Sequence, residues 1–433
     1  MPLQLDLDST VPVLVLKIGR YVIHHGSIGI IRSLGRLGVP VYAVVEDRFT
    51  PVALSRYLTG AFVWETRGLD TGRLLAGIRI IAERLGRPAI LVPTDDLAAA
   101  FIAEHSDVLQ RWFQFPRLPA ELPRRLINKK DLHSLCKSIA VPCPETAFPT
   151  SIDDVRGFIE RATFPVVIKA AESHRLPRGA RSTLIAWTPK ELAALLQQTT
   201  TPEIPNLIFQ EYIPRSCGED WIFQGYYNRQ TACSVAFTGR KLRSYPPFAG
   251  PTTLGVSVRN DPLIQQTERL LAAIGFSGIA DIDYLLDKRD GQYKLLDFNP
   301  RIGANFRMFE DWAGVDVVRA LHLDLTGRSV CRLPVVEGRI FIVEPYDPFA
   351  SISYIRRGGL TVSAWWRSLQ GRRENAWFNW DDPIPFLTTC VRLLFRALGR
   401  AIRSSRVPPR VSSSTPGRQN SKAPPPELPK VSP

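Results

Sequence analysis

The sequence contains no apolar segment long enough to cross a bilayer. A membrane-spanning helix needs roughly 18 or more consecutive apolar residues, and no run in this 433-residue chain approaches that length. The first ten residues, MPLQLDLDST, also lack the basic start and apolar core of a secretory signal peptide. Together these absences predict a cytoplasmic protein.

Several cofactor and metal motifs are missing as well. The six cysteines form no C-x-x-C pair and no paired spacing with histidine, so we expect reduced, structural thiols and neither a disulfide framework nor a zinc site. The chain has no G-x-G-x-x-G fingerprint and no G-x-x-x-x-G-K loop. A nicotinamide cofactor is therefore not expected, and no P-loop competes for a nucleotide.

Positive charge is plentiful, but much of it lies at one end. The formal net charge is +14, and the segment from Leu387 to the end holds nine lysines or arginines against one glutamate, a net charge of +8. No helix-turn-helix, zinc finger or RNP motif accompanies this charge. We therefore expect no specific nucleic-acid partner.

The N-terminal part is typical of an open α/β domain. The strand-like VPVLVLKIG, the helix-like IGIIRSLGRLG and the strand-like VPVYAVVED form a β-loop-α-β unit. A further strand, AILVPT, ends at Asp95 and Asp96 before the helical LAAAFIAEHSDVL. We assign residues 1–118 to a Rossmann-like domain, with these acids at a cleft where they could bind a substrate amine.

The rest of the chain is expected to be mostly α+β. TPKEL, with a Thr188 cap, predicts a helix start. The strand LIFQEYI is expected to open a larger antiparallel lobe. The predicted units are a small lobe (119–200), a large lobe (201–335), an extension (336–403) and a disordered Pro/Ser-rich tail (404–433).

The extension ends in an amphipathic helix, FLTTCVRLLFRALGRAIR. Its apolar stripe consists of Val391, Leu394, Phe395, Leu398 and Ile402, and arginines flank it. Two interpretations stay open: a helix docked on its own protein, or an interfacial helix that brings residues 386–433 to the inner membrane surface. The sequence leaves the oligomeric state open.

The stretch DIDYLLDKRDGQYKLLDFNPR contains an unusual pair of acids. An Asp-Gly pair predicts a hairpin turn, and Asp283 and Asp297 lie equally far from its tip at Asp290. Asp283 is therefore expected directly opposite Asp297, with Asn299 on the same face. The opposite, core-facing side is expected to carry Ile282, Tyr284, Leu296 and Phe298. Opposed like charges destabilise a sheet unless a cation lies between them, so the pattern predicts a Mg²⁺ site.

Five motifs together carry a family resemblance. NKKDLHSL, FPVVIKA, FQEYIP, GIADIDYLLD and LLDFNPR occur in this order between residues 12 and 335. The chain thereby resembles the ATP-grasp superfamily, and it is most similar to the carbamoyl-phosphate-synthase-like and D-aspartate-ligase-like carboxylate–amine ligases. The resemblance implies an ATP-grasp fold of two α+β lobes that follow the Rossmann-like domain.

The resemblance also implies a nucleotide site. Lys129, with Lys130 as the alternative, and Lys169 would bind ATP phosphates. Glu211 would contact the adenine amino group, and backbone groups near Tyr212 and Ile213 the ring edge. Either Glu219 or Asp220 would hold the ribose, with Glu219 preferred.

The implied metal ligands are Asp283, Asp297 and Asn299, for one or two Mg²⁺ ions, with Mn²⁺ as a substitute. Family members most often have Glu at the position of Asp297. Arg301 would lie over the γ-phosphate and the acyl phosphate made from it. The segment AAESHRLPRGARS holds a single glycine, Gly179, where many family members have a glycine-rich loop. Two interpretations stay open: Arg175, Arg178 and Arg181 substitute in part by their charge, or the segment becomes ordered only with nucleotide.

The expected reaction is ATP-dependent joining of a carboxylate to an amine through an acyl phosphate. Lys241 and Arg243, before a Pro/Gly-rich loop, are candidates for gripping the carboxylate. Two alternatives stay open: a bicarbonate-activating enzyme that carboxylates or forms carbamoyl phosphate, and an inactive nucleotide-binding regulatory protein.

Overall fold

A computed structural model describes residues 5–19, 25–170, 183–198, 207–214, 216–247, 250–404 and 430–432. Three β-sheets organise these residues: one of six strands in the N-terminal domain, one of four in the small lobe and one of seven in the large lobe. The α/β and α+β class predicted from the sequence is confirmed.

The N-terminal domain is a β-sheet with helices packed on both of its faces. Its strands are β1 (Val13–Leu16), β2 (Val41–Val45), β3 (Gly60–Val63), β4 (Ala89–Pro93) and β5 (Phe113–Gln114), all parallel and in the order β3-β2-β1-β4-β5. Its helices are α1 (His25–Gly35), α2 (Thr71–Leu85), α3 (Asp96–Glu104) and α4 (Ser106–Leu109). Alternate residues of β1 enter two different core clusters, which explains its continuous apolar run.

The small lobe is a four-stranded sheet with the order β6-β9-β7-β8. Its elements are β6 (Thr146–Ala147), α7 (Ile152–Arg161), β7 (Val166–Ala170), β8 (Thr183–Ala186), α8 (Pro189–Gln198) and β9 (Leu207–Glu211). The cap at Thr188 is confirmed, because the Glu191 amide donates to its hydroxyl over 3.2 Å. The strand expected to open the large lobe, β9, instead pairs with β7 here.

The large lobe is a seven-stranded sheet with the order β14-β13-β10-β11-β12-β15-β16. Its strands are β10 (Gly218–Tyr227), β11 (Cys233–Ser244), β12 (Thr252–Ser257), β13 (Gly278–Asp287), β14 (Gln292–Asn299), β15 (Ile340–Ile342) and β16 (Arg373–Asn375). Its helices are α9 (Asp261–Ala273) and α10 (Val317–Leu325), with a short 3-10 helix at Phe306–Met308. The last two strands come from the predicted extension, which therefore completes this sheet.

Two helices that were assigned to the small lobe pack on the large one. They are α5 (Leu122–Ile127) and α6 (Lys129–Ser138). Leu126 and Leu132 are buried in the same cluster as Phe223 and Phe298 of the large sheet. Burial of their apolar faces therefore fixes α6, and Lys129 at its start, to the large lobe.

The predicted hairpin register is confirmed, with one local difference. Asp283 is the cross-strand partner of Asp297, and Asp281 is the partner of Asn299. A bulge follows, so Tyr284 pairs with Leu295 and not with Leu296. The core position expected for Leu296 is therefore wrong: Leu295 is buried and Leu296 is only partly so, because the extra residue shifts the alternation.

The extension also packs against the N-terminal domain. It contains α11 (Asp347–Arg356), α12 (Val362–Ser368) and α13 (Ile384–Ser404). Buried Arg32 of α1 donates to Asp382 over 3.0 Å and to the Trp377 carbonyl over 2.7 Å. Within the described part of the chain, no helix combines the length and apolar character that crossing a membrane requires.

The predicted tail is mostly outside the described residues. Ser404 ends α13, and beyond it only residues 430–432 are described. They form a strand, β17 (Lys430–Ser432), that pairs antiparallel with β3. For these three residues the expectation of disorder is wrong, because the edge of β3 offers backbone partners.

Candidate active site

Two acids and two lysines meet on one face of the large sheet. Asp283 and Asp297 are opposite each other on β13 and β14. The Lys241 ammonium lies 3.6 Å from Asp283 Oδ1, and Lys129 donates a hydrogen bond to Asp297 Oδ1. Lys130 is exposed, so the geometry favours Lys129 of the two neighbouring lysines.

A third lysine reaches this cluster from the small lobe. Lys169, on β7, is partly buried, and among the described residues no carboxylate lies within ion-pair distance of it. Burial lowers the pKa of Lys169, and the charges of Asp297 and Asp283 offset this only in part. The protein thus holds a partly buried ammonium without an ion pair, which an anionic ligand would stabilise.

The other charged side chains of this cluster shift one another's pKa values. Burial alone would lower the pKa of Lys129 and of Lys241, but the surrounding acids together outweigh it and raise both pKa values. Asp297 has the largest effect among the acids on Lys129, and Asp283 on Lys241. Burial raises the pKa of Asp283, whereas Lys129 and Lys169 overcome burial and lower that of Asp297. The cluster therefore behaves as one electrostatic unit.

The ligand atoms fit Mg²⁺ bound together with a nucleotide. Two carboxylates share the face, and Asn299 lies two residues after Asp297 on the same strand. Among the described residues no group of three or more His, Cys, Asp or Glu side chains is arranged for a metal. Mg²⁺ is commonly bound by one or two carboxylates plus substrate phosphates. A small set of protein ligands therefore fits a Mg²⁺ ion whose other ligands are nucleotide phosphates.

Arg301 lies between the large lobe and the N-terminal domain. Its Nε donates to Asp96 Oδ1 over 2.9 Å, its Nη1 to Asp281 Oδ2 over 3.3 Å and its Nη2 to Asn299 Oδ1 over 3.0 Å. The predicted site residues Asp96, Asn299 and Arg301 are thus brought together.

Asp281 was missed in the sequence. It sits two residues before Asp283 and so faces the same way, a signal that the alternation could have supplied. Burial raises the pKa of Asp281 to about 7, and this effect is larger than the opposing effect of the Arg301 charge. Its cross-strand partner on β10, Gln224, donates to Asp281 Oδ1 over 3.1 Å.

The proposed adenine residues lie at the junction of the lobes. Glu211 is turned away from the cleft and forms an ion pair with Arg289. Gln210 lines a cavity of about 20 Å³ together with Lys129, Ile208, Leu295 and others. Strand alternation puts Gln210 on the face of Lys169, so Gln210 faces the cleft and the expectation for the Glu211 side chain is not supported. Tyr212 contacts Trp187 through its ring, and Ile213 follows at the same junction.

The two candidate ribose acids point in different directions. Glu219 pairs with Lys288 over 2.6 Å and with Arg240 over 3.5 Å. Asp220 alternates onto the opposite face, where its charge acts on Lys241 and Asp283. Asp220 is therefore the acid on the cleft face, contrary to the preference for Glu219.

The predicted substrate residue Arg243 has a structural role. Buried Arg243 forms a bidentate pair with Asp347, at 2.9 and 2.8 Å. A bulge at Leu242 makes Arg243 pair with Leu254 while Lys241 pairs with Gly255, which puts the two basic side chains on opposite faces. The expectation that Arg243 grips the carboxylate is therefore not supported by its contacts.

Asp95 is likewise committed to the backbone. It caps α3 by accepting from the Ala98 amide over 2.9 Å, and it accepts from the Ile18 amide over 2.8 Å. These bonds leave it a structural acid, unlike Asp96. The expected phosphate-covering segment, 171–182, lies outside the described residues.

Sequence comparisons find distant relatives. No family model matches the chain. It is 25% identical to D-aspartate ligase of Enterococcus faecium (strain Aus0004) over 293 residues, which is 64% of this chain and 64% of that protein. It is 23% identical to the carbamoyl phosphate synthase large chain of Thermomicrobium roseum over 270 residues, 59% of this chain and 24% of that one. The chain thus spans less than two thirds of each of these relatives.

Solved structures share the fold. The biotin carboxylase domain of Hydrogenobacter thermophilus 2-oxoglutarate carboxylase, in complex with MgADP, ADP and bicarbonate, matches with a TM-score of 0.56 and 15% identity over 75% of this chain and 71% of that one. L-amino acid ligase from Bacillus licheniformis matches with a TM-score of 0.53 and 15% identity over 73% and 75%. The chain therefore has the ATP-grasp fold and resembles the carboxylate–amine ligases of that superfamily.

Proposed function

We propose that the protein is an ATP-dependent ligase that activates a carboxylate as an acyl phosphate and joins it to an amine. One observation carries the proposal: Asp283 and Asp297 face each other beneath lysines from both lobes. The similarity to D-aspartate ligase and L-amino acid ligase supports the same chemistry.

The nucleotide would lie between the two lobes. Lys129, Lys169 and Lys241 would provide positive charge for its phosphates, and Gln210, which shares a face with Lys169, would lie near the base. Asp220 is the acid proposed for the ribose. Asp283, Asp297 and Asn299 would hold one or two Mg²⁺ ions, which neutralise phosphate charge when bound.

The proposed reaction has two displacements. A substrate carboxylate oxygen attacks the γ-phosphorus of ATP, the bond to the β-bridging oxygen breaks and ADP leaves. The amine nitrogen then attacks the acyl carbon, the bond to the phosphate oxygen breaks, and amide and phosphate form while protons pass to phosphate and solvent. Arg301 and Lys169 stabilise the transferring phosphoryl group by charge and position, as is usual in such reactions.

An ADP-release screen tests this proposal. The protein is incubated with MgATP, a panel of amino acids and small carboxylates, and a second panel of amines. We expect ADP release that needs one acid and one amine together, with an amide as the product. ADP release that depends on bicarbonate and needs no amine would favour the carboxylating alternative, and nucleotide binding without any turnover would favour the regulatory one.

We further propose that α13 rests on an anionic membrane surface. Its apolar stripe is turned outward: Val391, Leu394, Phe395 and Leu398 are 49–68% exposed. The other side of the helix contacts the body, since Arg392 donates to the Phe49 carbonyl over 3.0 Å. A helix docked through this stripe is thus not supported.

Charge favours lipid over a second copy of the chain. The sequence of α13 contains four arginines and no acid, so two such helices would repel each other, whereas anionic headgroups attract them. The exposed Trp380, at 89%, lies just before the helix, and tryptophan favours membrane interfaces.

Vesicle co-sedimentation tests this contact, with phosphatidylcholine vesicles compared with vesicles that also contain phosphatidylglycerol. We expect binding only to the anionic vesicles, weakened by salt, and reduced about tenfold by Leu394→Glu. Ala397→Glu adds the same charge off the stripe and is the matched control. Equal vesicle binding by the two variants would refute the lipid contact. It would also be refuted if the wild type bound no vesicles and instead formed a dimer that Leu394→Glu dissociates.

A further inference from the structure

Arg301 holds a second pair of acids, separate from the metal pair. Asp96, the first residue of α3, lies 2.9 Å from its Nε, and Asp281 on β13 lies 3.3 Å from its Nη1. The two carboxylates come from different domains and meet on one guanidinium. This arrangement places them beside the position proposed for the acyl phosphate.

The charges of this cluster do not balance. Two carboxylates and the Asn299 amide oxygen share the one guanidinium of Arg301. When Arg301 turns its donors to a phosphoryl group, as the proposed function requires, it can no longer neutralise both acids. Lys241 and Lys129 act on these acids electrostatically, but among the described residues neither acid has another ion pair. Both acids would then lack a paired cation, and a cationic ligand could supply one.

A buried acceptor without a donor lies next to Asp281. Gln224 is fully buried, and its Nε2 donates to Asp281 Oδ1 over 3.1 Å and to Asn305 Oδ1 over 2.7 Å. Its Oε1 is buried and, in the described part of the chain, has no hydrogen-bond partner. Because a buried acceptor without a donor destabilises the fold, a ligand donor at this place would be stabilising.

The chemistry of the cluster selects an ammonium. Asp96, Asp281 and the Gln224 oxygen are all acceptors, and an ammonium offers three donors and no acceptor. A second metal ion fits less well, because the described residues provide no metal-ligand group of three or more acids, histidines or cysteines.

We propose that Asp96 and Asp281, with Gln224 beside them, bind the ammonium group of the amine substrate. This inference rests on the proposed ligase function and names the second half of its site. It also corrects the expected pair of acids: Asp96 acts with Asp281, not with Asp95. An ammonium held here stands next to the acyl carbon, and it attacks as the free amine once it has passed one proton to solvent.

The test compares cationic and neutral nucleophiles. Hydroxylamine is uncharged at neutral pH and traps an acyl phosphate as a hydroxamate, whereas ammonium chloride, glycine and L-lysine present an ammonium. For the best cationic nucleophile, the ratio of its kcat/KM to that of hydroxylamine should fall about tenfold or more in Asp96→Asn. Asp153→Asn, an exposed acid on α7 paired with Arg156, is the matched control and should keep the wild-type ratio.

Asp281→Asn provides a second variant with the same readout, should Asp96→Asn fail to fold. A ratio within about twofold of wild type in the folded variants overturns the ammonium site but leaves the ligase proposal intact. The same conclusion follows if the wild type forms hydroxamate but uses none of the cationic nucleophiles. If the wild type forms no hydroxamate with any carboxylate, the ligase proposal fails and the ammonium site fails with it.

Discussion

Lys129, at the start of α6, donates a hydrogen bond to Asp297 on β14, so that one of the two proposed metal carboxylates already holds a cation. Lys241 stands 3.6 Å from the other, Asp283. Without nucleotide, these ammonium groups are positioned where the metal would be bound. The phosphates of a nucleotide would draw the lysines away and leave the carboxylates for the metal.

Metal binding should therefore depend on nucleotide. Titration calorimetry with Mn²⁺ alone is expected to give a Kd above about 1 mM, with much tighter binding once a non-hydrolysable ATP analogue is present. Lys129→Met should raise the affinity for Mn²⁺ alone, because it frees Asp297. Tight Mn²⁺ binding by the wild type without nucleotide would contradict this order.

Asp297→Asn should remove Mg-dependent turnover. Loss of one carboxylate from the metal pair is expected to lower ADP release at least about 100-fold, while circular dichroism and the melting temperature show a folded protein. Undiminished turnover would refute the role of Asp297. Asp153→Asn is a suitable control because it removes one exposed acid far from β14.

Gly303→Ala should disturb the site by steric overlap. A Cβ on Gly303 would lie 2.2 Å from Gln224 Nε2 and 2.5 Å from Asp281 Oδ1, so the loop after β14 would have to move. We expect a loss of about 1–3 kcal/mol in the free energy of unfolding, together with weaker turnover. Gly72→Ala, where the added Cβ meets nothing closer than 3.4 Å, should leave both unchanged.

Arg243→Leu should destabilise the fold without changing substrate affinity. Both partners of the Arg243–Asp347 pair are buried, and removing one leaves an unpaired buried charge, which costs about 3–5 kcal/mol. Urea denaturation measures the loss, and the double variant Arg243→Leu/Asp347→Leu should recover part of it. A raised KM for a substrate with unchanged stability would instead restore the original substrate role.

His25 should make the protein sensitive to acid. Burial lowers its pKa from the ordinary 6.5 to about 4, so between these values the unfolded chain binds a proton that the folded chain does not. Stability is therefore intact above pH 6.5 and falls as the pH drops toward 4, by at most about 3 kcal/mol. His25→Gln should flatten the profile of unfolding free energy between pH 7 and pH 4.5, relative to a His105→Gln control; an unchanged slope would contradict the prediction.

Much of the site was accessible from local sequence. The Asp-Gly turn and the alternation on either side of it predicted that Asp283 faces Asp297, because a short hairpin leaves few registers. The strand FPVVIKA likewise pointed to Lys169, since a lysine that ends a buried strand needs an anionic partner. The parallel N-terminal domain followed from its apolar runs.

What failed depended on distant pairing. The bulges at Leu242 and Leu296 arise where two strands pair, and each reverses the side that following residues face; nothing in one strand's own pattern reveals this. That is why the sequence misplaced Arg243 and Leu296. For Glu211 no bulge is involved, and the pairing of β9 with β7 decides which side chains of β9 share a face with Lys169.

The sequence by itself determined the order of strands and helices and the acidic pair of one hairpin, because these depend on neighbours within a few residues. Only the tertiary structure decided that Asp96 and Asp281 share Arg301, since α3, β13 and the segment after β14 meet only when separate domains pack together. Burial of apolar faces provides the free energy of that packing and says nothing about which polar side chains it brings into contact.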